Sequence, residues 1–185
     1  GRDPKHGVIC LTTGIIQRLE KRELEGVIAH EMSHIGNYDT RLMSVVSILV
    51  GGISLLADWF TRGEFYKTGR RSSNENKNSS GIVFMLGILF LMISPIIATL
   101  IKLAVSRKRE YLADSTAALI TRYPAGLAKA LRKISQDREI LEAANSATAH
   151  LYISDPVRGN LKNTISSFFS THPPIEERIR RLETM

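Results

Sequence analysis

The chain has 185 residues, with 25 Lys and Arg against 18 Asp and Glu and a formal net charge of +7 at pH 7. That length suits one domain of ordinary size with its own core. The positive excess is modest and scattered, and no aromatic-interleaved basic stripe accompanies it. This argues against a nucleic-acid partner and for contact with an anionic surface such as lipid head groups. Cys10 is the single cysteine, so there is no internal disulfide and no thiolate zinc cage, and a reducing compartment fits. The chain opens on GRDPKHGV, with no initiator methionine and no signal peptide, and reads as a fragment of something longer.

In chain order, HGVICLTTG is short and β-branched and ends at Gly14, which predicts a strand over Val8 to Thr13. A long helix is expected from about Lys21, because Leu24, Val27, Ile28, Ile35, Tyr38 and Leu42 recur at helical spacing. Glu20 stands where a Ser or Asn cap is usual, so the start of that helix reads as weak. Glu31 falls inside the apolar face, where a carboxylate is either costly or employed.

Residues 42–57 carry no charge and cover roughly 24 Å as a helix, short of a bilayer core of about 30 Å. Asp58, Trp59 and Phe60 follow, and Trp suits a membrane interface. Residues 61–80 are polar and Ser/Asn-rich and read as a flexible loop. Residues 82–105 carry only Lys102 near their end and read as a transmembrane helix kinked around Pro95. The apolar helix is expected to continue through SRKREYLADSTAALITRY. An amphipathic helix beginning at Pro124, a loop over ISDPVRGNLKNTISSFFSTHPP and a short helix over PIEERIRRLETM complete the chain. The resulting organisation is residues 1–41, then an apolar hairpin over 42–105 with its polar loop, then 106–185.

The chemistry concentrates in VIAHEMSH, residues 27–34. Residues four apart share one helical face, so His30 and His34 point the same way, and imidazole nitrogens suit zinc. Glu31 projects about 100° around from His30 and need not be a ligand. It can take a proton from a water that the metal has made acidic. A random chain of this length carries the pattern about once in a hundred or more.

A third ligand must come from elsewhere, with His6, His150, His172 and the carboxylates as candidates. An apolar hairpin selects among them. An antiparallel return brings residues 106–114, SRKREYLAD, back to the level of the histidines. That stretch offers Glu110 as the ligand. Asp114, one turn later, can accept the other ring N–H of a ligand histidine. The competing reading of Glu110 is a solvated acid among Arg107, Lys108 and Arg109.

Taken together, VIAHEMSHIGNYD, SRKREYLADSTAA and FSTHPPIEERIRRL resemble the HtpX-type membrane-embedded zinc metalloproteases, kin of the CAAX prenyl endopeptidases. The resemblance runs from about residue 5 to the end and rests on three motifs in the right order. It implies Zn²⁺ held by His30, His34 and Glu110, with Glu31 as general base. It also implies His172 and Arg178 as donors to the oxyanion formed during amide hydrolysis. On sequence grounds His172 reads equally as part of a helix cap. Residues 175, 179 and 182 form a packing stripe that leaves Arg178 elsewhere. The resemblance further implies a multi-pass protein of the cell (inner) membrane with a cytoplasmic catalytic face, acting on unfolded or misassembled membrane proteins. Family members begin with two more membrane helices and a short strand ahead of the point where this chain starts.

The expected fold is therefore mainly α with a small β-sheet: a zincin-like catalytic domain interrupted by an apolar transmembrane hairpin. An exposed edge over residues 8–13 would let an extended peptide add by main-chain hydrogen bonds. Two rivals stand beside this reading. One is a membrane scaffold with a structural or vestigial zinc site. The other is a soluble helical binding protein with a buried hairpin. Charge does not orient the membrane segments, since Arg62, Lys67, Arg70, Arg71 and Lys77 balance the positives on the catalytic side. Oligomeric state, physiological substrate and cleavage preference leave no mark in the residues.

Overall fold

The structure is a computed structural model that describes residues 3–68, 79–136 and 172–185. A 3-10 turn at Pro4–His6 leads to helices α1 (Thr13–Arg18), α2 (Lys21–Gly36), α3 (Asp39–Thr68), α4 (Ser79–Thr121), α5 (Pro124–Gln136) and α6 (Ile175–Glu183). The chain divides into two compact units, Gly1–Leu42 with Leu103–Met185, and Met43–Lys102.

The first unit is built on α2 and α5. Leu19, Val27, Ala29, Ala117, Leu127, Ala128, Ala130, Leu131 and Leu182 form its core. Two glycines permit the close approach of the helices. A Cβ on Gly26 would lie 2.7 Å from the Leu127 backbone nitrogen, and one on Gly126 would lie 2.6 Å from the Arg22 carbonyl oxygen. Arg122, at a φ of 50°, closes α4, and Pro124 opens α5 with its φ already set for a helix. The α6 helix adds Leu182 to the core and lays the Arg181 guanidinium 3.8 Å from the centroid of the Tyr111 ring.

Glu20 does not leave the start of α2 weak. Glu23, three residues on, accepts the Glu20 backbone N–H at 2.9 Å, and Lys133 of α5 donates to the same oxygen at 2.7 Å. Burial opposes ionisation of Glu23, but Lys133 and the Glu20 N–H outweigh it and hold the carboxyl below its ordinary value.

The expected strand over Val8 to Thr13 differs from what is observed. Among the described residues there is no strand. Residues 7–12 form no regular element, and Val8 is 82% exposed. Thr13 instead opens α1, with the Thr12 hydroxyl accepting the Ile15 N–H at 3.3 Å. β-Branched residues favour an extended path, but a strand also needs a neighbour, and none of the described segments supplies one.

The second unit is made of the two apolar runs. Both α3 and α4 contain a stretch long and apolar enough to cross a membrane, Asp39–Trp59 and Gly87–Thr121. The expected loop over 61–80 is shorter than its composition suggests, because α3 runs on to Thr68 and α4 starts at Ser79. Loss of apolar character marks the end of the apolar surface, whereas an established helix propagates readily into polar residues. Residues 69–78 lie outside the described residues, as does the expected loop from 153 to 171. Pro95 sits inside α4 and cannot supply the N–H that the Leu91 carbonyl would accept. The Ser94 hydroxyl donates to that carbonyl at 3.1 Å instead.

Candidate metal centre

Three elements build the centre. His30 and His34 stand one turn apart on α2, Glu110 and Asp114 one turn apart on α4, and His172 and Arg178 come from the entry to α6 and its middle. All six belong to the first unit. The Nε2 atoms of His30 and His34 lie 3.1 Å apart, with the rings edge to face. Glu110 faces both, at 3.7 Å from His30 Nε2 and 3.6 Å from His34 Nε2. One ligand atom from each of His30, His34 and Glu110 can be chosen so that all lie within 4.8 Å of one another, close enough to hold a metal ion. His6 is not in this group and pairs with Asp3 at 2.6 Å. His150 lies outside the described residues.

Each ligand-type histidine has a carboxylate behind it. Asp114 Oδ1 approaches His30 Nδ1 to 3.0 Å, a short contact that is not aligned as a hydrogen bond. Asp39, the first residue of α3, lies 2.7 Å from His34 Nδ1. This arrangement suits an imidazole whose Nε2 lone pair points at a cation. Burial works against a charge on His34, but Asp39, Glu110 and Glu31 outweigh it and raise its pKa above the ordinary histidine value.

Arg178 is the largest fully buried side chain of the described residues. Its guanidinium grips Asp114 at two points, Nε to Oδ2 at 2.8 Å and Nη2 to Oδ1 at 2.7 Å, while Nη1 lies 3.2 Å from Glu110 Oε2. Burial disfavours its charge, yet the facing Asp114 and Glu110 raise its pKa further. The expected packing stripe of 175, 179 and 182 places Arg178 off the packed face. Ile175, Ile179 and Leu182 do pack at the core, but Arg178 is buried too, one turn before Leu182 and facing Asp114 and Glu110. His172 Nδ1 stands 3.2 Å from Glu110 Oε1. Glu31 is half-buried, and no hydrogen bond or ion pair joins its carboxylate to a described residue.

A model of Peptidase family M48 matches residues 1–185. The chain belongs to Peptidase family M48. Among its M48 relatives, a protein named Protease HtpX homolog from Dictyoglomus thermophilum is 49% identical over 185 residues, covering all of this chain and 58% of that protein. Proteins of the same name from Caldanaerobacter subterraneus subsp. tengcongensis and Tropheryma whipplei (strain Twist) are 48% and 47% identical, with this chain covering 60% and 61% of them. The chain thus spans about three-fifths of the length of these curated relatives. No solved structure matches it at a significant level.

Two residues of the centre escaped the motif reading, Asp39 and Arg109. Arg109 pairs with Asp39 through both Nε and Nη2, and its Nη2 also donates to the Asn37 carbonyl at 2.9 Å. The available signal was an acid opening a helix five residues after His34. Arg109 itself is indistinguishable in sequence from its neighbours Arg107 and Lys108.

Proposed function

We propose that this M48 chain is the metal-binding part of a membrane-bound zinc endopeptidase. The observation that carries the reading is the convergence of His30 Nε2, His34 Nε2 and the Glu110 carboxylate, with a carboxylate behind each imidazole. The donor set fits zinc: two imidazole nitrogens and one carboxylate oxygen, the ligand types of a catalytic site that takes water in its fourth position. Glu110 Oε2 is buried and makes no aligned hydrogen bond, with His30 Nε2 at 3.7 Å and Arg178 Nη1 at 3.2 Å. A zinc ion held there supplies a Lewis acid that polarises a carbonyl and makes water acidic near neutral pH.

The chain's own residues do the rest. Glu31 takes the attacking water's proton and passes it to the leaving amine. It is half-buried on α2 next to His30, and its charge is felt at His34 and Arg178. His172, 3.2 Å from Glu110, takes the role of donor to the oxygen on which negative charge develops, as the resemblance implies. The resemblance assigned Arg178 the same duty. Its enclosure and its two-point grip on Asp114 favour a different one, holding Asp114 and Glu110 in position. Residues 7–12, part of the first unit, have no strand partner among the described residues and offer main-chain groups to an extended peptide.

The two long apolar helices support membrane insertion; the cell (inner) membrane, a multi-pass arrangement and a cytoplasmic catalytic face are proposed on the resemblance. The proposed partners are the lipid bilayer and unfolded or misassembled membrane proteins, and the proposed role is membrane-protein quality control. The test is metal content and casein cleavage measured on one detergent-solubilised preparation, with and without chelator. Zinc and chelator-sensitive cleavage are expected together. A preparation that cleaves equally well after the metal is stripped sinks the proposal. Zinc without any cleavage returns the structural-zinc scaffold.

A further inference from the structure

His34 is the more exposed of the two ligand-type histidines, with 23% of its side chain accessible against 2% for His30. Packing alone therefore leaves its ring the freer to turn. Its Nδ1 meets Asp39 at 2.7 Å. Asp39 is itself buried, with 7% of its side chain exposed, and is gripped by the Arg109 guanidinium. The same guanidinium donates to the Asn37 carbonyl, at the C-terminal end of the histidine-bearing helix. Tyr38, at a φ of 56°, makes the reversal that turns the chain from α2 into α3 within two residues.

We propose that Asp39, clamped by Arg109, is the positioning residue of His34, so that one side of the metal centre is set by the junction of α2, α3 and α4 rather than by α2 alone. The proposal rests on the zinc reading above. Its physical content is a chain of fixed groups. Arg109 neutralises Asp39 and prevents it from turning to solvent. The buried carboxylate then fixes the ring plane and tautomer of His34. Nε2 is left as the lone-pair nitrogen, pointing toward His30 and Glu110. Arg109 presents a planar fork, which a lysine cannot reproduce at both Asp39 and Asn37. Asp39 and Arg109 are 70 residues apart in sequence, so the contact forms only when α4 is packed against the end of α2.

The experiment uses the full chain in detergent. Zinc affinity is read by competition with a chromophoric chelator, and ligand geometry by the visible spectrum of the cobalt(II)-loaded protein. Asp39→Asn is expected to weaken zinc binding about 10- to 100-fold and to change the cobalt spectrum. Arg109→Met should lower affinity in the parent but add nothing in the Asp39→Asn background, because it acts through Asp39. Arg109→Lys should behave more like Arg109→Met than like the parent. Asp39→Asn binding zinc within about twofold of the parent, with an unchanged cobalt spectrum, overturns the proposal. If Asp39→Asn fails to fold, Arg109→Met carries the test, and parental affinity and spectrum there overturn it equally. His30→Ala separates the two readings. Its loss of zinc with Asp39→Asn unaffected removes only the positioning role, whereas parental zinc binding in His30→Ala removes the metal centre itself.

Discussion

The two compact units bury opposite kinds of residue. Among the described residues of the first, Glu23, His30, Asp39, Glu110, Asp114 and Arg178 are all buried beside an aliphatic core. Among the described residues of the second, Ala57 and Ala98 are buried, while Ile48, Leu49, Leu55, Trp59, Phe90 and Met92 are exposed. The first unit's enclosed charges persist because each has an opposite charge or an imidazole within reach, and breaking one pair leaves another group stranded. The second reverses the usual distribution, which fits a hydrocarbon surrounding in which helices satisfy their own backbone and leave apolar side chains outward. Buried charge in one unit and exposed aliphatic surface in the other thus answer to different solvents.

The largest effect that could break this contrast lies at Glu31. Glu31→Gln should retain zinc and lose about 10²- to 10⁴-fold in peptide cleavage, measured as metal content and kcat on the same preparation. Loss of zinc along with cleavage would place Glu31 among the groups that hold the centre together rather than among those that act on substrate.

Arg178 tests whether the enclosed charges depend on one another. Arg178→Met keeps much of the volume but strands Asp114 and Glu110, and should cost about 3–5 kcal/mol in a denaturant titration of the metal-free protein. Zinc affinity should fall as well, since both carboxylates lose their common anchor. A change below about 1 kcal/mol would mean that the ion pairs are incidental to the packing.

The second unit answers to a charge placed on its outside. Leu55 is 72% exposed, so a water-facing surface would accept Leu55→Arg at almost no cost. In a bilayer the substitution should cost about 2.5–3.5 kcal/mol of insertion, read as a smaller alkali-resistant membrane fraction. An unchanged fraction would put that face of α3 in water.

The smallest effect is a pH dependence at Glu23. Its folded-state pKa is held below the ordinary 4.5. Its contribution to stability is therefore present above 4.5 and is lost as pH falls through the lower folded-state value. Glu23→Gln should lower the thermal midpoint at neutral pH, and the gap from the parent should narrow as the solution is acidified below 4.5. A gap independent of pH would assign the loss to packing instead of to the Lys133 ion pair.

Sequence by itself determined the parts of this protein that depend on spacing along a single helix. The four-residue interval puts His30 and His34 on one face, and the same interval puts Glu110 and Asp114 on one face of α4. Two apolar runs separate these pairs, and the expected return of the chain points to Glu110, which lies within reach of both imidazoles. Periodicity and length are one-dimensional properties, and the backbone translates them directly into direction. Tertiary structure decided the rest. Whether Val8 lies in a strand depends on a neighbour, not on its own β-branched side chain. Whether Arg178 faces solvent or fills the interior depends on Asp114 and Glu110, which lie on another helix. Arg107, Lys108 and Arg109 are alike until α4 packs beside α2, and only then does one of them meet Asp39 and the end of the histidine helix. An ion pair between residues 70 apart has no local signal, because the energy that selects it exists only after both partners have left water together.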